Sequence, residues 1–332
     1  MNTGKLHPFP DEIFSIRTPQ AFEDACMETF AFQAHHCAVY REYLSLINVE
    51  PQAVERPENI PFLPIEFFKS HRVTSRSDVP QIVFSSSGTT GSVQSKHYVA
   101  DVALYEQSFR TAFEQCYGTP ADTAIIALLP AYSERTGSSL IYMVDELIRQ
   151  SNHPRSGYFL YNHDELHHVL LALKDQCTKT LLIGVTYALL DFVENHPIDF
   201  PGLIVMETGG MKGRRREMIR EELHEQLCQG FNVAHIHSEY GMTELLSQAY
   251  AKGNGLFHCP PWMQVHIRDT NDPFEMLPMG RTGGINIIDL ANIHSCAFIA
   301  TQDLGKKHSD GNFEVLGRFD QSDIRGCNLL VQ

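Results

Sequence analysis

The chain has 332 residues, 43% hydrophobic and 20% charged, which is ordinary for a globular protein with a substantial core. Its formal net charge of −14 argues against binding to nucleic acid or to an anionic membrane through bulk electrostatics, so we expect no nucleic-acid partner. The eight cysteines form no C-x-x-C pair, and no secretory signal or bilayer-length apolar run is visible. We therefore expect a cytoplasmic protein without a membrane span.

The N-terminal region, residues 1–80, is predicted to be helical. Apolar residues recur at helical spacing over residues 19–48, Thr18 can cap this helix, and Pro19 suits its first turn. A proline-punctuated stretch follows and ends in "LPIEFFKSH". This region therefore precedes the first clear strand of the chain.

Residues 81–252 alternate short apolar runs with amphipathic patterns. After "QIVF" and a small-residue loop, a helix is predicted from Asp101. Strands are then predicted in "TAIIALLP", "GYFLYN", "TKTLLIGV" and "GLIVMET", and helices in "SSLIYMVDELIRQ", "DELHHVLLALKDQ", "YALLDFVENH" and "RREMIREELHEQL". Continuous apolar strands between amphipathic helices indicate an α/β core with parallel strands covered by helices. Residues 253–332, with "GGINIIDL", "HSCAFIA" and "FEVLGRF", are predicted to form a β-rich subdomain.

The loop within "FSSSGTTGSVQSKHY" is rich in serine, threonine and glycine. Such residues let backbone N–H groups turn toward an anion, and their hydroxyls add further donors. It is not a Walker loop, because no Gly-Lys-Ser/Thr ends it and no helix begins at once. From composition alone, a phosphate-binding loop and a plain solvated loop both remain open.

Two later segments carry similar chemistry. "METGGMKG" places a double glycine at a predicted strand end, where open α/β sheets bind ligands. In "HSEYGMTELLSQAY", Tyr240 can stack on a base, Thr243 can donate to a phosphate, and Glu244 can hold Mg²⁺. Taken singly, each feature also has a structural explanation: a tight turn, a core aromatic ring, and an exposed acid at a helix start.

Taken in order with "TQDLG" and "GRFDQSDIRG", these segments resemble the motifs of the adenylate-forming superfamily of acyl-CoA synthetases, adenylation domains and luciferases. The resemblance implies the large-domain fold of that superfamily and the use of ATP and Mg²⁺. It implies an ATP-phosphate site at Ser85, Ser86, Ser87, Gly88, Thr89, Thr90, Gly91 and Lys96 and an adenine site at Gly209, Gly210, Tyr240 and Gly241. It also implies phosphate contact by Thr243, Mg²⁺ binding by Glu244, and ribose contact by Asp303 and Arg318.

The implied reaction is the attack of a carboxylate oxygen on the α-phosphorus of ATP. Two anions must approach each other, so the site needs Mg²⁺, backbone donors and a cation. The motifs supply each of these parts. A carboxylate nucleophile needs no general base.

Most of the superfamily carries a further C-terminal domain of roughly a hundred residues. Since the sequence ends shortly after the motif that closes at Gly326, we expect this swinging domain to be absent. "LPIEFFKSH" and "RGCNLL" resemble the acyl-protein synthetase family, the fatty-acid ligase component of bacterial luminescence reductases. That resemblance implies a fatty-acid substrate, acyl transfer to Cys327, and an acyl-acceptor or reductase protein as partner. Cys327 could otherwise be a packed thiol in an edge strand.

Several alternatives remain open. The chain could instead pass its acyl group to CoA or to a carrier-protein thiol, or it could be a non-catalytic nucleotide-binding scaffold. His163 and His167 lie four residues apart on a predicted helix, but no third metal ligand is evident. A metal site could also be built from His258, Cys259, His294 and Cys296, although no second cysteine lies at zinc-finger spacing. Tyr132, Ser138 and Ser139 either line an acyl pocket or belong to a helix start.

Overall fold

A computed structural model describes residues 10–87, 93–130, 136–209 and 218–318. Its α-helices are α1 (Pro10–Ile13), α2 (Pro19–His36), α3 (Ala38–Leu46), α4 (Phe67–Ser70), α5 (Val102–Tyr117), α6 (Ser139–Ser151), α7 (His163–Asp175), α8 (Thr186–Asn195) and α9 (Arg220–Phe231). Its strands are β1 (Leu63–Pro64), β2 (Ile82–Ser85), β3 (Lys96–Val99), β4 (Ala124–Leu128), β5 (Gly157–Tyr158), β6 (Thr180–Gly184), β7 (Leu203–Glu207), β8 (His237–Tyr240), β9 (Ala249–Ala251), β10 (Phe257–His258), β11 (Met263–Arg268), β12 (Thr282–Asp289), β13 (Phe298–Lys307) and β14 (Phe313–Arg318).

The chain forms two compact units, and each draws on separate stretches of sequence. The first unit holds the described residues of 1–108, 243–247 and 258–332. The second holds those of 109–242 and 248–257. The chain therefore passes between the units four times.

The second unit contains parallel strands in the order β5, β4, β6, β7, β8, and β9 pairs with β8 in the antiparallel direction. All residues of β4 and β6 are buried. Their continuous apolar sequences follow from this, because strands of a parallel sheet are covered on both faces. The predicted α/β core with parallel strands is confirmed.

The first unit contains an antiparallel sheet in the order β11, β12, β13, β14, and β1 pairs with β13 in parallel. Strands β2 and β3 form a separate hairpin. The predicted β-rich character of the C-terminal part of the chain is confirmed. The segment "TQDLG" lies inside β13.

The predicted helix over residues 19–48 is in fact two helices. Thr18 caps α2 and Pro19 stands in its first turn, as predicted, but Cys37 interrupts the helical pattern with φ −86° and ψ 102°. The Cys37 thiol is fully buried at this break. No proline or glycine marks the position, so the break comes from tertiary packing and not from local propensity.

Two other predicted elements are shorter than expected. The strand in "GYFLYN" ends at Tyr158, because Asn162 already serves as the N-cap of α7 and accepts a hydrogen bond from the Glu165 N–H. The helix in "RREMIREELHEQL" begins at Arg220. Both differences concern where an element begins or ends, which is the least regular part of a helix or strand.

A buried glutamine joins the N-terminal helices to the C-terminal part of the first unit. The Gln33 amide donates to the Asn292 and Ile293 carbonyl oxygens at 2.8 and 3.0 Å and accepts from the Ala297 N–H at 2.9 Å. Gln33 has no exposed surface, so these bonds satisfy a polar group that water cannot reach.

A buried carboxylate organises the turn that follows Thr243 and Glu244. Asp289 accepts hydrogen bonds from the N–H groups of Leu246, Ser247 and Ala291 and, at 2.5 Å, from the Ser247 hydroxyl. The Trp262 indole N–H donates to the same Ser247 hydroxyl oxygen at 2.9 Å. Burial raises the pKa of Asp289 to about 6, although the four hydrogen bonds act in the opposite direction.

In the part of the chain that the structure describes, no helix has both the length and the apolar character needed to cross a bilayer.

We expect Asp289→Ala to lower the free energy of unfolding by roughly 2–4 kcal/mol, because buried N–H and hydroxyl donors lose their acceptor. Urea unfolding measures this change. Asp310→Ala is the control, since the Asp310 carboxylate accepts from Asn312 in an exposed turn. Equal losses in the two variants would show that the Asp289 network does not stabilise the turn.

Candidate active site

The serine- and glycine-rich segment is the connection of the β2–β3 hairpin. Ser85 lies opposite Lys96 in the last pair of the ladder. Beyond this pair, the Ser86 N–H donates to the Ser95 carbonyl oxygen at 3.1 Å, and the Ser95 N–H donates to the Ser86 hydroxyl at 3.0 Å. Ser87 and the Lys96 side chain are exposed. The hairpin therefore presents Ser85 and Lys96 side by side, while Gly88, Thr89, Thr90 and Gly91 lie outside the described residues.

Glu244, the predicted Mg²⁺ ligand, is only 6% exposed. The Ser95 hydroxyl donates a hydrogen bond to its carboxylate, and the charges of Arg318 and Lys69 act on it. Burial raises the pKa of Glu244 above its ordinary value, while the hydrogen bond and the two cations oppose that rise. Burial thus outweighs the two cations of the first unit that act on this carboxylate.

The backbone around Glu244 is held from two sides. The His97 ring donates from Nδ1 to the Thr243 carbonyl oxygen at 2.9 Å, and the Asn292 amide donates to the Glu244 carbonyl oxygen at 2.8 Å. His97 is buried with its edge toward the Phe68 ring, at 5.7 Å between centroids. Burial lowers the pKa of His97 to about 4, so the ring is neutral at pH 7 and carries its proton on Nδ1.

Asp303 and Arg318, the predicted ribose residues, lie opposite each other on β13 and β14. The Arg318 Nε atom is 3.5 Å from Asp303 Oδ1, and Arg318 also donates to the Gln302 amide oxygen at 3.2 Å. The Asp303 side chain is 14% exposed and the Arg318 side chain is 72% exposed. Arg318, the last residue of β14, is therefore exposed, whereas Asp303 lies in the middle of β13 and is mostly buried. An ion pair with one exposed partner in itself stabilises the fold little.

In the second unit, Gly209 follows the carboxyl end of β7, and Tyr240 and Gly241 lie at the carboxyl end of β8. Glu207, the last residue of β7, accepts the Gly209 N–H at 2.6 Å and the Thr186 hydroxyl at 3.4 Å. Gly209 has φ +76°, a conformation that favours glycine. The Glu207 carboxylate thus fixes the turn that leads into Gly210, which lies outside the described residues.

A second acid, Glu239, lies at the end of β8. An ideal Cβ on Gly241 would lie 2.4 Å from Glu239 Oε1, so the carboxyl group occupies the space that glycine leaves. Burial and the charge of Glu207 raise the pKa of Glu239 to about 8. The Tyr240 ring beside it is buried and packs against the Phe257 ring, with 5.8 Å between centroids.

Glu207 differs from Glu239 although both are buried. The pKa of Glu207 is lower than its ordinary value, although burial acts to raise it. The lowering comes from the His224 ring, the Ser238 hydroxyl, the charge of Arg220 and the Gly209 N–H, which together outweigh burial. His224 Nε2 lies 3.8 Å from the Glu207 carboxylate. At pH 7 Glu207 is therefore ionised and Glu239 is protonated.

The structure also bears on the metal sites and acyl-pocket residues that the sequence left open. Within the described ranges, no three His, Cys, Asp or Glu side chains gather as a metal site, and this covers His163, His167, His258, Cys259, His294 and Cys296. Ser138 is the N-cap of α6 and accepts a hydrogen bond from the Ile141 N–H, which agrees with the alternative that this serine belongs to a helix start. Tyr132 and Cys327 lie outside the described residues.

Neither the protein-family models nor the curated proteins contain a match to this chain. Solved structures do match. ATP-bound MatB from Rhodopseudomonas palustris aligns at TM-score 0.54 and 17% identity over 73% of this chain and 49% of that chain. This chain therefore spans about half the length of MatB.

The alignment with 2-hydroxyisobutyryl-CoA ligase covers a larger share of this chain, and of the ligase, than the alignment with MatB covers of its two chains. The structure with 2-HIB-AMP and CoA in the thioesterification state gives TM-score 0.70 and 13% identity over 96% of this chain and 76% of that chain. The open conformation with 2-HIB-AMP and CoA gives TM-score 0.69 and 13% identity over 91% and 70%. The fold is that of adenylate-forming enzymes.

The fold that the motif resemblance implied is thus confirmed. Four residues near the motifs were not singled out from the sequence: Ser95, His97, Glu207 and Glu239. Glu207 ends the apolar strand β7, where an acid is rarely buried without a partner, and this was a readable signal. Glu239 lies in the polar strand β8 and carried no such signal. Ser95 and His97 carried no such signal, because their contacts to residues 243 and 244 depend on long-range packing.

We expect Glu239→Gln to change how stability depends on pH. The folded protein keeps a proton on Glu239 up to about pH 8, whereas the unfolded chain releases it near the ordinary value of about 4.3. The parent protein should therefore lose stability relative to Glu239→Gln as pH rises from about 4.5 to about 8, by about 1 kcal/mol per pH unit. Urea unfolding at several pH values measures this.

Glu222→Gln, which removes an exposed carboxylate from α9, is the control for that series. It should follow the parent protein at every pH. Parallel pH dependence of the parent and Glu239→Gln would show that Glu239 is not protonated in the folded state at neutral pH.

Proposed function

We propose that this protein activates a carboxylic acid with ATP, forming an acyl-adenylate and pyrophosphate, and then transfers the acyl group to Cys327. The observation that carries the proposal is the environment of Glu244. Its buried carboxylate accepts from Ser95 and feels the charges of Lys69 and Arg318, in a chain with the fold of adenylate-forming enzymes. MatB binds ATP and 2-hydroxyisobutyryl-CoA ligase binds 2-HIB-AMP with this same fold.

One set of residues, taken from the motif resemblance, is assigned to the phosphates and the ribose. Serine hydroxyls of the hairpin connection, the Thr243 hydroxyl and the Lys96 ammonium group are donors suited to phosphate oxygens. The Asp303 carboxylate is suited to accept hydrogen bonds from the ribose hydroxyls, and Arg318 orients it through their ion pair. Lys96 is exposed and opposite Ser85, so both can reach the same ligand.

A second set of residues, also taken from the motif resemblance, is assigned to the adenine ring. Gly209 and Gly210 would pass along one edge of the base, and Tyr240 with Gly241 would pass along another. Glycines let backbone approach a ligand closely, and an aromatic ring offers a flat apolar surface. The structure supports this assignment because both segments follow the carboxyl ends of neighbouring parallel strands, the edge at which open α/β sheets bind ligands.

The Glu244 carboxylate fits a Mg²⁺ ion. Oxygen ligands are the ones Mg²⁺ prefers, and it is commonly bound by one or two carboxylates together with substrate phosphates. Burial that raises the pKa of this carboxyl also means that a nearby divalent cation would favour its ionised form. Bound Mg²⁺ would neutralise phosphate charge, and Glu244 would hold it there.

The proposed chemistry has two steps. In the first, an oxygen of the substrate carboxylate bonds to the α-phosphorus, the bond from that phosphorus to pyrophosphate breaks, and pyrophosphate leaves. No proton moves, so no general base is required. In the second, the Cys327 thiol loses its proton to solvent, its sulfur bonds to the acyl carbon, and AMP leaves as the acyl–phosphate bond breaks.

The proposed substrate is a fatty acid, and the proposed partner is a protein that accepts or reduces the acyl group. Both rest on the resemblance of "LPIEFFKSH" and "RGCNLL" to acyl-protein synthetases. A pyrophosphate–ATP exchange assay over a panel of carboxylic acids of different chain length and aromatic character tests the substrate class directly. Absence of exchange with every acid would leave the chain as a nucleotide-binding scaffold.

Transfer to CoA is the second candidate. It is favoured by the alignment over most of this chain to 2-hydroxyisobutyryl-CoA ligase, two structures of which hold CoA with 2-HIB-AMP. The activation step is the same in both candidates. They differ in whether the acyl group ends on the protein or on a free thiol.

We expect Glu244→Gln and Lys96→Ala each to lower the rate of pyrophosphate–ATP exchange by about 10²–10³, as when an electrostatic stabiliser of developing charge is lost, about 2.7–4 kcal/mol. Both variants should stay folded by circular dichroism, because neither side chain contributes to the apolar core. Lys174→Ala, which removes a lysine paired with Asp199, is the control and should retain exchange. Full exchange in both site variants would rule out the assigned phosphate site.

We expect Cys327→Ser to keep pyrophosphate–ATP exchange and to lose stable labelling of the protein by radioactive acid and ATP. The reason is that the adenylation step does not use the thiol, whereas a thioester requires it. Neutral hydroxylamine should release the label from the parent protein. Cys177→Ser, which removes an exposed thiol, is the control and should label normally.

Two results would contradict self-acylation. One is equal labelling of Cys327→Ser and the parent protein. The other is an unlabelled parent protein that converts CoA to acyl-CoA in the presence of ATP and a competent acid, which would support the second candidate.

A further inference from the structure

The segment "LPIEFFKSH" brings an acid that the proposed chemistry does not use next to the candidate ribose residues. Strand β1 runs parallel to β13, with Pro64 opposite Ala300 in the last pair of the ladder. The Ile65 N–H continues the pairing by donating to the Ala300 carbonyl oxygen at 3.0 Å. Glu66 and Gln302, each two residues beyond that last pair, therefore lie side by side.

The Glu66 carboxylate begins a chain of contacts that ends at Asp303. Glu66 stands at the N-cap position of α4, but its side chain makes no capping hydrogen bond there. It accepts instead from the Gln302 amide nitrogen at 2.5 Å. The Gln302 amide oxygen accepts from Arg318 at 3.2 Å, and the Arg318 Nε atom lies 3.5 Å from Asp303 Oδ1. Four side chains are thus linked in one direction.

The orientation of the Gln302 amide follows from its two neighbours. A carboxylate only accepts hydrogen bonds and a guanidinium group only donates them, so the amide must direct its NH₂ group to Glu66 and its oxygen to Arg318. Without Glu66, the amide is free to turn its NH₂ group toward Arg318, where donor would face donor. Glu66 therefore selects the orientation in which Gln302 binds the guanidinium group.

Arg318 needs this second contact, whereas the Asp303 backbone is held independently. The Asp303 N–H donates to the Thr301 hydroxyl oxygen at 3.1 Å, and the buried Thr301 hydroxyl donates to the Ile285 carbonyl oxygen at 2.8 Å. The Arg318 side chain, by contrast, is 72% exposed at the end of β14. Since a long exposed side chain loses entropy when it is held in one geometry, a single ion pair fixes it poorly.

We propose that Glu66, through Gln302, positions Arg318 and thereby the Asp303 carboxylate, and that this arrangement selects a ribonucleotide over a 2′-deoxyribonucleotide. The inference rests on the proposed function, because it takes Asp303 to bind the ribose hydroxyls. Glu66 and Gln302 are positioning residues, since they act on the nucleotide through Arg318 and Asp303.

Selectivity for the ribose depends on how firmly Asp303 is held. A fixed carboxylate that loses the 2′-hydroxyl keeps an unpaired acceptor, so the parent protein should bind 2′-deoxyATP about tenfold more weakly than ATP. A carboxylate that can turn toward water recovers a hydrogen bond when the hydroxyl is missing. Loss of the Glu66 contact should therefore reduce the preference for ATP.

The experiment measures the dissociation constants of MgATP and Mg-2′-deoxyATP for the full chain by titration calorimetry. Their ratio should be about ten in the parent protein and about two in Glu66→Ala. Gln302→Ala removes the same link from its other side and should also give about two, which keeps the test available if Glu66→Ala does not fold. Glu58→Ala, which removes an exposed partner of Arg56, is the control and should keep the parent ratio.

A pair of exchanged side chains tests the direction of the contacts. Gln302→Glu alone sets two carboxylates against each other and should lower the ratio. Adding Glu66→Gln should restore it, because the amide placed at position 66 donates to the carboxylate placed at position 302. The other oxygen of that carboxylate then accepts from Arg318.

Different results identify different failures. ATP binding with the parent ratio in both Glu66→Ala and Gln302→Ala overturns the positioning role and leaves the proposed function standing. A parent ratio near one, or an equal fall in Glu58→Ala, also overturns it. So does a double variant that stays as unselective as Gln302→Glu. Absence of binding of either nucleotide by the parent protein overturns the proposed function, and this inference with it.

Discussion

The Asp289 carboxylate is the constraint on which the organisation of the first unit's candidate residues depends. It gathers three backbone N–H groups and one hydroxyl, and through Ser247 it also involves the Trp262 indole and the Ser108 hydroxyl. The turn that it closes begins directly after Glu244. A carboxylate that must face a charged ligand needs rigid support, and buried hydrogen bonds from a neighbouring strand end supply it.

Four buried acids in this chain show how differently one kind of side chain can be used. Burial alone raises the pKa of a carboxyl group, and the outcome depends on what faces it. Asp289 meets backbone donors, Glu244 meets a hydroxyl and two cations, Glu207 meets a histidine and an arginine, and Glu239 meets another acid. The −14 net charge of the chain therefore says little about whether a particular surface can receive an anion.

The sequence predicts the second unit well because its strands are buried on both faces. Runs such as those of β4 and β6 are apolar at every position or nearly so, and the helices between them are amphipathic. The order of the motifs also anticipates the fold. Periodicity and motif order are local properties of the chain, so they can be read without knowing which segments meet.

What the sequence does not predict depends on contacts between distant segments. The break at Cys37 has no local marker, and β3 follows the serine- and glycine-rich loop where only a helix further on was predicted. His97 can donate to the Thr243 carbonyl oxygen because hairpin pairing with Phe84 and packing against Phe68 fix the position of its ring. The environment of Glu244 likewise joins Lys69, Ser95 and Arg318, which no spacing rule connects.

The bonds that Gln33 makes have a consequence for biosynthesis. Its acceptor oxygen pairs with an N–H group 264 residues further along the chain. At a translation rate of roughly 5–20 residues per second, α2 leaves the ribosome roughly 13–50 s before this partner exists. During that time the apolar face of α2, with Phe22 and Phe30, has none of its C-terminal contacts, which include the ring of Phe298. The first unit can therefore complete its packing only after its C-terminal part is synthesised, whereas the second unit has all its strands by residue 257.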